Sequence, residues 1–196
     1  MLHLVLGMHQ RTSKALTVCA WQDYNNFWFR RPTRYRTASS TRRSIDLKIA
    51  LGSDHAGYPL KEEIAEFLRK ERYDFQDFGA FSLESVDYPD IAREVAEAVA
   101  AGRFDRGILI CGSGVGVCIV ANKVPGVRAA LASDEYTAKV AREHNDANVL
   151  ALGGRVVGPS LAQAIVKVFL ETPFSGETRH AKRVEKIERP ANRGGY

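Results

Sequence analysis

The chain has 196 residues, of which 45% are hydrophobic and 26% charged. That is enough for one globular domain with a full core and an arm, and no run approaches the roughly 18 apolar residues of a membrane span. The net charge of +5 does not argue for a nucleic-acid-binding domain, because residues 1–45 hold eight Lys and Arg against one acid, while the other 151 residues hold 20 basic and 22 acidic groups.

Residues 1–45 show no sustained apolar period and are rich in Arg, Ser and Thr, with Trp21 and Trp28 among several aromatics. That composition predicts a basic, disordered N-terminal extension, with organelle targeting as the second reading. A single domain is expected over 46–196. The three cysteines, Cys19, Cys111 and Cys118, show no disulfide-framework spacing, which suits a reducing, cytoplasmic setting.

From Ile45 onward the pattern alternates. LKIALGSD (47–54) reads as a strand, and PLKEEIAEFLRKE (59–71) puts Leu60, Ile64 and Leu68 on one helical face. A strand is expected over 74–80 and a helix over 87–102, closed by Gly102. RGILICG (106–112) is the most apolar strand, and a helix over 114–124 follows it. Strand 128–134 leads to helix 135–145, and strand 149–154 leads to helix 160–172 with Ser160 as its expected cap. A basic amphipathic helix over about 179–188 ends the pattern. Five strand–helix alternations imply a five-stranded parallel sheet covered on both faces, a Rossmann-like three-layer α/β/α sandwich.

In such sheets ligands bind beyond the carboxyl ends of the strands. Ser53, Asp54 and His55 follow the first strand, and Cys111, Gly112, Ser113, Gly114 and Gly116 follow the third. Arg155 follows the fifth, and Asp87 and Tyr88 stand in a connecting loop. His144, Asn145 and Asp146 close the helix after the fourth strand and are expected on the same rim. Each has a plain structural use as well. Asp54 can cap a helix, His55 can be solvated, Cys111 can be a small buried hydrophobe, and Tyr88 can belong to the core. Cys118 reads as packing.

The glycines at 112, 114 and 116 do not have the G-x-G-x-x-G spacing of a dinucleotide site. They suit an anion hole, with free backbone N–H groups at a helix start and a field that favours a thiolate at Cys111. Arg179 and Arg183 lie four apart on one helix face, a pair suited to phosphate, although a solvated basic face has the same pattern. No zinc-ligand spacing and no nucleophile elbow is present.

GSDHAG (52–57), DYP (87–89), ILICGSGVG (108–116), ANK (121–123), EHNDANVLALGGRVVG (143–158) and RHAKRVEKI (179–187) together resemble ribose-5-phosphate isomerase type B, of the family that includes the galactose-6-phosphate isomerase subunits. The resemblance spans roughly 47–189. It implies an aldose–ketose isomerase that uses no metal or organic cofactor and works as a homodimer or homotetramer with sites at the subunit interface. It further implies Cys111 as the base that shuttles a proton between C1 and C2 through a cis-enediolate. Ser113 and the backbone of Gly112, Gly114 and Gly116 would stabilise that enediolate. Asp54 and His144 would open the furanose ring, while His55, Arg155, Arg179 and Arg183 would hold the phosphate. Tyr88 and Asn145 would line the sugar site. One branch of the family carries a glutamate where this chain has Val117, so the resemblance places the chain in the cysteine-base branch. Ribose 5-phosphate is the expected substrate. Allose 6-phosphate, galactose 6-phosphate or a tetrose phosphate is the alternative within the same chemistry, and a non-catalytic phosphosugar-binding module is the alternative outside it. No nucleic-acid or membrane partner is implied.

Overall fold

The computed structural model describes residues 46–188. The extension 1–45, expected to be disordered, and residues 189–196 lie outside them. Five strands, β1 (Lys48–Ser53), β2 (Asp74–Asp77), β3 (Arg106–Cys111), β4 (Ala129–Leu131) and β5 (Val149–Gly153), pair in parallel in the order β2-β1-β3-β5-β4. Six helices, α1 (Tyr58–Lys70), α2 (Tyr88–Ala100), α3 (Val115–Ala121), α4 (Glu135–Asn145), α5 (Pro159–Glu171) and α6 (Thr178–Glu188), complete the unit.

The three-layer build follows from strand periodicity, since successive side chains face opposite sides of a sheet. Ile49, Leu51, Ile108, Ile110, Leu150 and Leu152 face α1, α4 and α5. Ala50, Leu109, Cys111, Val149 and Ala151 face α2 and α3. The central strands are therefore apolar on both faces. Each fully buried Ile or Leu among them contributes about 1.5–3 kcal/mol by burial. No helix among the described residues is long and apolar enough to cross a membrane.

Most boundaries match the sequence pattern. Gly102 does close α2, at φ +71 and with its N–H donated to the Val99 carbonyl at 2.9 Å. Several expectations are corrected: the strands expected over 74–80 and 128–134 are only Asp74–Asp77 and Ala129–Leu131. Ser160 is not a cap: Gly158 takes the cap position, because Pro159 suits the first helical turn. The helix expected over 114–124 is only the seven residues of α3. It stops because Asn122 turns back to clip β4, with Nδ2 donating to the Ala129 carbonyl and Oδ1 accepting from the Ala129 N–H, both at 2.9 Å.

An unforeseen ion pair fixes the loop after β2. Lys61 of α1 is fully buried, ion-paired with Asp77 and boxed by the Tyr58 and Phe81 rings at 5.2 and 5.0 Å. Asp77 Oδ1 accepts the Gly79 N–H at 2.9 Å, and the Gly79 carbonyl accepts the Ser53 N–H at 2.5 Å. The end of β1 is thereby anchored directly before Asp54.

Candidate active site

After β1 the chain moves outward to β2 and then crosses back to β3 on the other side of β1. The connections leave in opposite directions there and open a crevice at the carboxyl ends of β1 and β3. Asp54 and His55 stand on one side of it, Cys111 and Gly112 on the other. The three loops at this rim are laced by backbone bonds. The Asp54 N–H donates to the Ile110 carbonyl at 3.2 Å, the Gly154 N–H to Cys111 at 2.8 Å, and the Arg155 N–H to Gly112 at 3.0 Å.

Close approach sets the residue types. At Gly57 a Cβ would lie 2.5 Å from the Ile110 oxygen, so only glycine lets α1 begin this near β3. Gly114 has φ +79, and its Cβ would meet Leu131 Cδ1 at 2.5 Å and the Leu152 backbone at 2.8 Å. That left-handed turn aims the Gly114 N–H at Cys111 Sγ, 3.1 Å away. Cys111 is 4% exposed. Its sulfur thus sits at the foot of the glycine loop with a backbone donor on it. The two turns of α3 add only a short dipole, so the donors here are chiefly those of the loop.

Around this centre, Asp54 is 6% exposed and its Oδ1 accepts the Gly57 N–H at 2.8 Å. Asp54 is not the helix cap, a position Gly57 takes; its Oδ1 closes the turn before α1 and leaves the second carboxylate oxygen available. His55 Nδ1 accepts the Val86 N–H at 3.3 Å, so Nε2 carries the ring proton and can donate to a ligand. The Tyr88 ring lies against Gly116, where a Cβ would come within 2.7 Å of it. The Arg155 side chain passes over Gly112, with Nη1 3.7 Å from where a Cβ would stand. Ser113 is exposed, and its Oγ accepts the Val115 N–H at 3.4 Å. Cys118 packs as expected, half-buried against the α2/α3 core, and burial pushes its thiol up.

His144 and Asn145 are not on this rim, contrary to expectation. A helix that follows a parallel strand runs back toward the strands' amino ends, and these residues end such a helix. β5 starts four residues after Asn145, and its first residue, Val149, pairs with Gly107, whereas Gly153 pairs with Cys111. Four residues of strand separate those two rows by about 13 Å, and His144 and Asn145 lie beyond the far row. Helix α6 is fastened at that same end. His180 of α6 stacks on His144 with ring centroids 4.2 Å apart, and Glu188 pairs with Arg128, whose Nε donates to the Asn145 carbonyl at 3.0 Å.

Arg179 and Arg183 therefore belong to the second set. Both are exposed. Arg179 Nε donates to Glu177 at 2.7 Å, and Arg183 has no ion pair among the described residues. One chain thus carries two sets of residues at opposite strand ends: Asp54, His55, Tyr88, Cys111, Ser113 and Arg155 at one, and His144, Asn145, Arg179 and Arg183 at the other. A cleft of about 480 Å³ lies at the second end, lined by Arg128, Asn145, Ile187 and Glu188 among others. It is not over Cys111. His180 falls in RHAKRVEKI (179–187) without a role legible in the sequence, because its contact with His144 joins positions far apart along the chain.

The fold and the rim define an α/β enzyme of Rossmann-like build with acid–base side chains at its switch point. A family model described as Ribose/Galactose Isomerase matches residues 49–187. Ribose-5-phosphate isomerase B of Escherichia coli is 51% identical over 140 residues, covering 71% of this chain and 93% of that protein. D-erythrulose-4-phosphate isomerase of Pectobacterium atrosepticum is 45% identical over 142 residues, covering 72% of this chain and 93% of that protein. The solved structure of Clostridium thermocellum ribose-5-phosphate isomerase B superposes with a TM-score of 0.71 at 58% identity, covering 72% of this chain and 95% of that one. The chain belongs to the ribose/galactose isomerase family and is a sugar-phosphate aldose–ketose isomerase.

Proposed function

We propose that the chain interconverts ribose 5-phosphate and ribulose 5-phosphate, in sites formed between two copies. Asp54 of one copy and His144 of the other open the furanose, moving the O1 proton out and a proton onto O4. Cys111 takes the C2 proton of the open aldehyde, and the negative charge passes to the enediolate oxygens. Ser113 and the N–H groups of the 112–116 loop hold that charge. A proton then passes from O2 to O1, and the thiol returns its own proton to C1, which gives the ketose. A single base that reaches two adjacent carbons is what this reaction needs. His55 and Arg155, with Arg179 and Arg183 of the second copy, hold the phosphate, and Tyr88 and Asn145 line the sugar.

The observation that carries this reading is Cys111 Sγ beneath the Gly114 N–H, with Asp54 and His55 across the β1/β3 crevice. The two-copy site is supported by the opposite-end placement of the second set. It is also supported by exposed apolar side chains beside the loop, at Val115, Ile119, Leu131 and Tyr136. The Pectobacterium relative named for a tetrose phosphate keeps a second substrate reading open, since one CH(OH) more or less changes pocket length rather than chemistry. Steady-state kinetics on ribose 5-phosphate, erythrose 4-phosphate, allose 6-phosphate and galactose 6-phosphate decide between them. The highest kcat/KM is expected on ribose 5-phosphate, and a higher value on any other sugar overturns that assignment.

A further inference from the structure

We propose that His180 is a positioning residue that holds the His144 ring for proton transfer to the sugar ring oxygen; this rests on the ring-opening role given to His144 above. His144 is only half-buried and receives no hydrogen bond on its ring from the described residues. What orients it is the face of His180, at a centroid distance of 4.2 Å and an interplanar angle of 41°.

His180 is itself fixed. It is 2% exposed, and its Nδ1 lies 2.8 Å from Ser175 Oγ. That oxygen also accepts the Glu177 N–H at 3.3 Å, so one hydroxyl bridges the turn and the ring. The Ser175 N–H donates to the Glu143 carbonyl at 3.0 Å, so the turn before α6 is tied to the last turn of α4, beside His144. Burial, then His144 and Arg179, push the His180 imidazolium below the ordinary histidine range; Glu177 opposes that shift and Arg183 adds to it. That shift favours the neutral ring. The ring gives His144 a flat wall on that side.

Two variants test this. His180→Leu fills the buried space but has no flat ring face. Ser175→Ala, at an exposed position, leaves His180 in place and removes its hydrogen-bond partner. Each is measured in two assays on the full chain. Turnover of ribose 5-phosphate requires ring opening. Exchange of the C1 hydrogen of ribulose 5-phosphate with D₂O does not, because its O5 is esterified and the ketose stays open. The expected result for His180→Leu is a loss of about tenfold or more in ribose 5-phosphate turnover, with a smaller loss in the same direction for Ser175→Ala. C1 exchange should be retained in both. Parallel loss in the two assays means His180 supports the fold or the whole site, and no loss in either means it does nothing for His144. Either result overturns the proposal, and Ser175→Ala decides if His180→Leu does not fold. A separate His144→Ala variant keeps the two ideas apart. If it turns over ribose 5-phosphate normally, the ring-opening reading itself fails. If it is impaired while both other variants are normal, only the role of His180 fails.

Discussion

Cys111→Ala is expected to lower kcat on the sugar phosphate by about 10³-fold or more while leaving the fold and substrate binding nearly intact. Alanine fits the site without strain, since Cys111 belongs to the α2/α3 core and is 4% exposed. The loss is then chemical: the Gly114 N–H, now 3.1 Å from the sulfur, would face a methyl group that accepts no proton. Two readouts separate this from a folding defect. The thermal midpoint should stay close to that of the parent, and a phosphorylated competitive inhibitor should bind with similar affinity. Solvent exchange at C2 at the parental rate would remove Cys111 from the role of base. Alkylation should inactivate the parent enzyme, and saturating substrate should slow that inactivation.

Arg183→Ala is expected to act on the phosphate. The guanidinium is exposed and has no ion pair among the described residues, so its removal leaves no buried charge behind. Deleting one charge-assisted contact to a dianion costs about 1.5–3 kcal/mol, roughly a 10- to 150-fold loss in kcat/KM. The loss falls on KM if the phosphate is held equally in ground and transition states. It falls on kcat as well if that grip sets C1 and C2 over Cys111. Free ribose never uses the contact, so any measurable turnover of it should be indifferent to the change. Equal losses on both sugars would mean that Arg183 shapes the assembly and not the phosphate site. The effect of Arg179→Ala should be similar in kind but partly masked, because Glu177 already engages Arg179 at 2.7 Å.

Local chemistry was the legible part of this sequence. The apolar runs at 47–54 and 106–112 gave β1 and β3 to within a residue or two, and Gly102 marked the end of α2 because a left-handed residue was needed there. The glycine-rich stretch after Cys111 pointed to a rim site because close backbone approach and free N–H groups both demand glycine. Features that depend on neighbours far along the chain were not legible. The early end of α3 depends on Asn122 meeting Ala129. The burial of Lys61 depends on Asp77 and Phe81 arriving from another element. His144 and Asn145 lie off the expected rim because each helix reverses direction after a parallel strand, a reversal that sequence order does not display. The pairing of Val149 with Gly107 and of Gly153 with Cys111 shows which strand end is which, and that pairing exists only in the folded sheet.

The placement of Cys111 and His144 at opposite strand ends is the feature on which the proposed mechanism turns, and subunit mixing tests it most directly. Cys111→Ala and His144→Ala chains, each nearly inactive alone, are unfolded together, refolded and checked for mixed dimers by native mass spectrometry. In a mixed two-fold dimer, the Cys111 of one chain and the His144 of the other are both intact at one of the two sites. Random pairing then predicts recovery of about a quarter of the parental activity. A mixture that contains mixed dimers and yet stays as inactive as its parents would contradict the account, because it would place Cys111 and His144 in one chain's own site or outside a common site altogether.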